Sequence, residues 1–361
     1  MDDLRQGRLD ITPHYFSVDL PFYREHLESF LPDRIIDIHS HSGNNPARSP
    51  GDPEPTIWAD WVTFGCGMRL PNLLDAYLKI FPGKEVFPVC FSLSTREDVD
   101  ERNAYIEEEL KLYENAWGLL WTTPDWSKDE LIQRVERGGF SGIKPYPSMV
   151  QGISTGDITI FDYVPRHHIE TAEEHGWVLM LHIPRSERLA DPVNIAQLRE
   201  ISRTYPKIKL IIAHTGRSYC PRYAIEGLPR LRDFENLLFD ISANVNQVVL
   251  EFLIREVGPK RILFGSDMPI TAMRAKQICE GDEYVNYIRH ADWEDNRTRR
   301  DIQEEESYTF FLYEEILAFK KAAIACDLTR SDIEDIFFNN AYRLLTGPGS
   351  PSAKKEKVNN V

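Results

Sequence analysis

Arg34-Ile35-Ile36-Asp37-Ile38-His39-Ser40-His41 reads as a short buried strand that ends in two histidines one residue apart. Side chains at i and i+2 of a strand point to one face. His39 and His41 can therefore aim two imidazoles at one point, which is what a divalent metal needs. Asp37 lies on the same face, one step deeper. Taken alone, the pair is equally well explained as two hydrogen-bonded histidines at a strand end. The residues that close the later strands decide between the two.

The 361-residue chain is long enough for one large domain. Its net charge of −15 and pI of about 5.2 argue against non-specific binding to nucleic acid or acidic membranes. The five cysteines are scattered, with no C-x-x-C, so neither a disulfide framework nor a zinc knot is expected. The first residues are polar and acidic, without the apolar run of a signal peptide, and no apolar run approaches the roughly 18 residues of a membrane span. A cytoplasmic location is the expectation.

Working outward, seven more apolar runs succeed 35–39, at 86–92, 116–122, 141–144, 177–182, 208–214, 237–241 and 261–264. They are near-continuous in apolar character, as parallel strands buried on both faces are. Helical patterns lie between them, at 70–80, 98–113, 127–136, 162–175, 193–205 and 246–257, with a last one at 331–345. Ser127/Glu130 and Ser331/Glu334 have capping-box spacing. Eight strands alternating with helices predict an α/β fold, a (β/α)8 TIM barrel spanning 34–346. An open doubly wound sheet would place a glycine-rich phosphate loop after the first strand, where this chain has His39-Ser40-His41-Ser42-Gly43.

Residues 1–33 form a leader expected to pack on the barrel. Two long stretches leave the alternation, the loop 42–62 and an insertion after strand 8, 268–330, with a helical pattern at 308–325. Both come after the C-terminal ends of strands, where barrels build their active sites. The tail 347–361 is rich in Gly, Pro, Ser and Lys and is expected to be disordered.

Polar residues gather at those strand ends: His39 and His41 on strand 1, Lys144 on strand 4, His182 on strand 5, His214 on strand 6 and Asp267 on strand 8. One histidine closing an apolar strand is ordinarily a core residue. Four such histidines and an aspartate at the same end of one barrel point to chemistry. Three neutral imidazoles and a carboxylate suit Zn²⁺ or Mn²⁺ with room for water or substrate. Asp267 can bind the ion and accept a proton from water, and His214 can serve as acid or base. Asp37 could orient a ligand histidine. Lys144, Arg185 and Arg217 could face a substrate carboxylate or oxyanion. Tyr146, Tyr219 and Asn246 are further pocket candidates.

This set, with Ala213-His214-Thr215-Gly216-Arg217, Leu263-Phe264-Gly265-Ser266-Asp267-Met268-Pro269 and Asn340-Ala341-Tyr342-Arg343-Leu344, resembles the amidohydrolase superfamily, and within it the amidohydrolase-2 group that includes aminocarboxymuconate-semialdehyde decarboxylase. The resemblance implies one divalent metal, zinc or alternatively manganese, held by His39, His41, His182 and Asp267. Other superfamily members carboxylate the strand-4 lysine to bridge two metals; Lys144 would then leave His182 and His214 to the second. The expected activity is hydrolysis of an amide, ester or lactone of a small molecule by metal-activated water. The alternative is a non-oxidative decarboxylase, and a third reading is a metal-binding barrel without catalysis. A homodimer is expected from base rates.

Overall fold

The computed structural model describes residues 9, 11–44, 68–291 and 297–347. Most of the loop 42–62 and nearly all of the tail lie outside them. Eight parallel strands stand in sequential order: β1 (Arg34–His41), β2 (Glu85–Phe91), β3 (Trp117–Thr122), β4 (Gly142–Pro145), β5 (Val178–Leu181), β6 (Lys209–Ile212), β7 (Leu237–Asp240) and β8 (Ile262–Leu263). The chain beyond β8 closes the ring on β1. Ile38 N–H donates to the Phe264 carbonyl at 3.0 Å, Asp267 N–H to His39 at 2.7 Å and His41 N–H to Met268 at 2.7 Å. These bonds fix Asp267 beside the two histidines. The protein is a TIM barrel, because strands buried on both faces need helices around them and loops only at the ends.

The outer helices keep to the apolar spacing closely, with two instructive differences. The pattern at 162–175 is cut into Ile160–Tyr163 and Arg166–Glu174, because Pro165 has no N–H to continue a helix. The last helical stretch starts at Arg330, one residue earlier than expected. Thr329 caps it and Asp332 returns the bond, so the capping box is Thr329/Asp332 rather than Ser331/Glu334.

The leader lies against the barrel's outer layer. Tyr23 and Leu27 are buried, Phe22 stacks on Tyr313, and Asp19 is a buried acceptor for Arg274 and Thr309. Residues 268–330 hold more than the expected helix, which runs Phe311–Ala325. A hairpin, β9 (Ala275–Glu280) and β10 (Glu283–Ile288), forms a small sheet with β11 (Thr298–Arg299). The cysteine reading is corrected here. Cys279 on β9 forms a disulfide with Cys220, at a sequence separation of 59. Folding brings the loop after β6 onto the hairpin, and isolated cysteines with no local spacing gave no sign of it.

Candidate active site

The barrel mouth opens into a cavity of about 390 Å³, lined among the described residues by His39, His41, Lys144, Tyr146, His182, His214, Arg217 and Asp267 together with Trp121, Tyr219 and Tyr284. Most of the residues singled out for chemistry therefore meet in one place. They do so because each ends a parallel strand, or comes a few residues after one, on the same side of the sheet.

Asp267 Oδ1 lies 3.0 Å from His41 Nε2 and 3.5 Å from His39 Nε2. Donors bound at about 2.1 Å to one tetrahedral or octahedral ion are separated by roughly 3.0–3.5 Å. Donor atoms of His39, His214 and Asp267 also lie within 4.8 Å of one another. His41 Nδ1 is buried and finds no hydrogen-bond partner. The donors are in the right charge state as well. Burial, with Lys144 as a positive neighbour, holds His39 well below the usual histidine range. Burial likewise lowers His41 and His182, the latter well below that range, so the rings are neutral and can offer lone pairs. Burial pushes Asp267 up, but its contact with His41 and the histidines around it outweigh this and leave the carboxyl below its ordinary range. The residues present fit a divalent cation.

The support behind this set differs from the expectation for Asp37. That carboxylate does not orient a ring. Its Oδ1 accepts the backbone N–H groups of His39 (3.1 Å) and Ser266 (2.8 Å), and its Oδ2 accepts the hydroxyls of Tyr77 (2.6 Å) and Ser266. It clips β1 to the segment that carries Asp267. The residue that orients a histidine is Asp240, at the end of β7, which is not among the sequence candidates. Its Oδ2 accepts from His39 Nδ1 at 2.9 Å, which turns Nε2 toward the cavity. Its Oδ1 accepts His214 N–H at 2.7 Å and Ser242 N–H at 3.2 Å. Ser242 in turn faces His214 Nδ1 with its hydroxyl (2.9 Å) and carbonyl (3.1 Å). Glu315, buried and held well above the usual carboxyl range by that burial, accepts Ala243 N–H at 2.7 Å and fixes the same loop.

His214 and Arg217 reach the cavity through an unusual backbone. His214, Thr215, Gly216 and Arg217 all have positive φ, between 50° and 64°. Three of them carry a Cβ, and each non-glycine residue in this conformation costs about 1–2 kcal/mol. Bonds to Asp240 from His214 N–H and the Thr215 hydroxyl hold the turn. Arg217 is braced by the carbonyls of Ile183 and Arg185 at 3.2 and 3.4 Å.

Lys144 is fully buried, and its Nζ has no hydrogen-bond partner; it sits 4.9 Å from the centre of the Phe91 ring. Burial lowers its pKa to about 8, against the pull of Asp240 and Asp267. Tyr146 stacks on Trp121 and meets His182 at a tilt, ring centres 4.9 and 4.7 Å away. Two expectations are corrected. Arg185 does not line the cavity, because Asp191 takes its Nε at 2.9 Å and the Asp157 carbonyl its Nη1 at 3.2 Å. Asn246 caps the helix Gln247–Val257. Tyr284 is a cavity residue that sequence reasoning missed. It arrives on the hairpin, which local patterning did not reveal.

The family model for amidohydrolases (the amidohydrolase-2 family) matches residues 91–346, and the chain belongs to that family. Its members are hydrolases and decarboxylases that bind a divalent metal. A search of curated proteins finds no match. Among solved structures, the 5-carboxyvanillate decarboxylase of Sphingomonas paucimobilis is similar at a TM-score of 0.53 and 12% identity, over 87% of this chain and 99% of that one. An amidohydrolase from Burkholderia multivorans with bound zinc gives 0.53 and 13%, over 86% and 98%. A putative 2-pyrone-4,6-dicarboxylic acid hydrolase of Pseudomonas putida gives 0.50 and 16%, over 87% and 98%. At these identities the likeness is one of fold.

Proposed function

We propose that this enzyme is a zinc-dependent hydrolase acting on an amide, ester or lactone of a small carboxylate-bearing molecule. The observation that carries the reading is the placement of two proton acceptors, Asp267 and His214, within 4.8 Å of each other beside His39. His39, His41, His182 and Asp267 would hold the ion, which supplies Lewis acidity and lowers the pKa of water. Asp267 takes the proton from the attacking water. His214, its Nδ1 held by Ser242, presents Nε2 to the leaving group and in its protonated form delivers a proton there, and the proton taken up by Asp267 restores that form for the next turnover. Lys144, a buried cation without a hydrogen-bond partner, and Arg217, which lines the same cavity, bind the substrate's carboxylate. Tyr146 and Trp121 offer a flat wall to a planar substrate.

A second reading has support of its own. The same two cations suit a substrate that loses its carboxylate, so a carboxy-lyase uses the cavity equally well. Incubating the zinc-loaded protein with carboxylated lactones, amides and aromatic acids in ¹⁸O-water separates them. Hydrolysis puts the label in the product. Release of CO₂ with no label in the product establishes the lyase and overturns the hydrolase. Inactivity toward the whole panel would sink both.

A further inference from the structure

Beside the main cavity lies a second, smaller void of about 20 Å³. It shares two residues with the cavity, Tyr219 and Tyr284, whose rings meet edge to face at 4.9 Å. Beyond this pair the walls are Met273, Ala275, Ile288 and Phe311. A void that size holds one or two non-hydrogen atoms, since about 10–15 Å³ takes one water-sized probe. The lining is apolar except at one side. There Gln277 spends its Nε2 on Asn286 at 2.9 Å, while its Oε1 is buried without a donor. A buried acceptor left unpaired costs free energy that a ligand's O–H or N–H would recover.

The chamber is built in advance. Cys220 comes directly after Tyr219, and Cys279 stands opposite Tyr284 in the β9–β10 pairing, so the disulfide ties together the two segments that carry the shared rings. Arg188, fully buried, backs them at 5.8 and 5.3 Å from the ring centres. A lining braced in this way lowers the cost of using the space.

The geometry points to a subsite for the far end of the substrate: a short apolar arm passes Tyr219 and Tyr284 and ends in a hydroxyl or amide N–H that donates to Gln277 Oε1. This rests on the anionic-substrate reading above for the near end, where Lys144 and Arg217 hold the carboxylate. The substrate class is then an acid with a short ω-hydroxy or ω-amido arm.

Calorimetric titration of the zinc-loaded full-length protein tests this, with linear alkanoates from acetate to octanoate and their ω-hydroxy forms as probes. Affinity is expected to rise roughly fourfold for each methylene that enters the chamber. At that length the ω-hydroxy acid is expected to bind roughly two- to tenfold more tightly than the plain acid. Gln277→Leu should erase the hydroxyl preference and keep the methylene gain. Ala275→Leu should end the gain at the tyrosine pair, and wild-type zinc content shows that both variants fold around the donor cluster. If no chain length shows a hydroxyl preference in the wild type, or if the preference survives Gln277→Leu, the inference falls. Binding is read without turnover, so an inactive protein would refute the hydrolase reading and still report on the chamber.

Discussion

Asp240→Asn isolates the orienting function of a residue that touches no substrate. The wild-type carboxylate accepts from His39 Nδ1 at 2.9 Å and from His214 N–H at 2.7 Å, fully out of solvent. Asparagine keeps the shape and one acceptor, which can still serve His214 and Ser242. At the other position it places an NH₂ against His39 Nδ1. That ring then moves its proton to Nε2, the atom 3.5 Å from Asp267, and loses the lone pair it offers a metal. A hydrogen bond to a charged group contributes about 1.5–3 kcal/mol, so zinc affinity should fall roughly 10- to 100-fold. Competition against a chromophoric chelator measures this directly. The fold should lose less than about 2 kcal/mol, because the remaining acceptor is kept. An Asp240→Asn variant that binds zinc as tightly as wild type would refute the argument that Asp240 sets the His39 tautomer.

Three other expectations come from single positions. Gly216→Ala puts a Cβ 2.7 Å from Leu189 Cδ1 at a φ of +64°, and should cost about 2–4 kcal/mol in urea unfolding. Lys144 has a folded pKa of about 8, below its unfolded value, so it destabilises the fold at neutral pH and the penalty fades as pH rises from about 8 through 10.5. Lys144→Met should accordingly gain up to about 3 kcal/mol at pH 7 and nothing above about pH 10.5, as read from unfolding midpoints across that range. Breaking the Cys220–Cys279 disulfide by Cys279→Ser should lower stability by about 4 kcal/mol, given its sequence separation of 59, and peptide mapping should lose the linked fragment.

Much of this barrel is written locally. Strands buried on both faces must be apolar throughout, so the eight runs stand out, and a polar residue that ends such a run stands out with them. His182 after Val178–Leu181 is legible for that reason. Asp240 carries the same signal at the end of Leu237–Asp240, yet an apolar isoleucine comes next and hides the strand's true end. Arg185 and Arg217 each sit three residues after a histidine and look alike in sequence. The difference lies in how the loop after β5 folds back: Asp191, six residues on, captures Arg185, while Arg217 meets the carbonyls of Ile183 and Arg185. Tyr284 and the disulfide depend on where a hairpin lands after folding, and no spacing along the chain encodes that.

The central claim is that His39, His41, His182, His214 and Asp267 form a metal-dependent catalytic centre. Its most direct test is zinc titration of the metal-stripped protein, beside Asp267→Ala checked by circular dichroism for an intact barrel. The account predicts about one zinc per chain in wild type, and a variant that folds but has lost both tight zinc binding and turnover. A wild-type protein that binds no divalent metal, or an Asp267→Ala variant that keeps its activity, would contradict it.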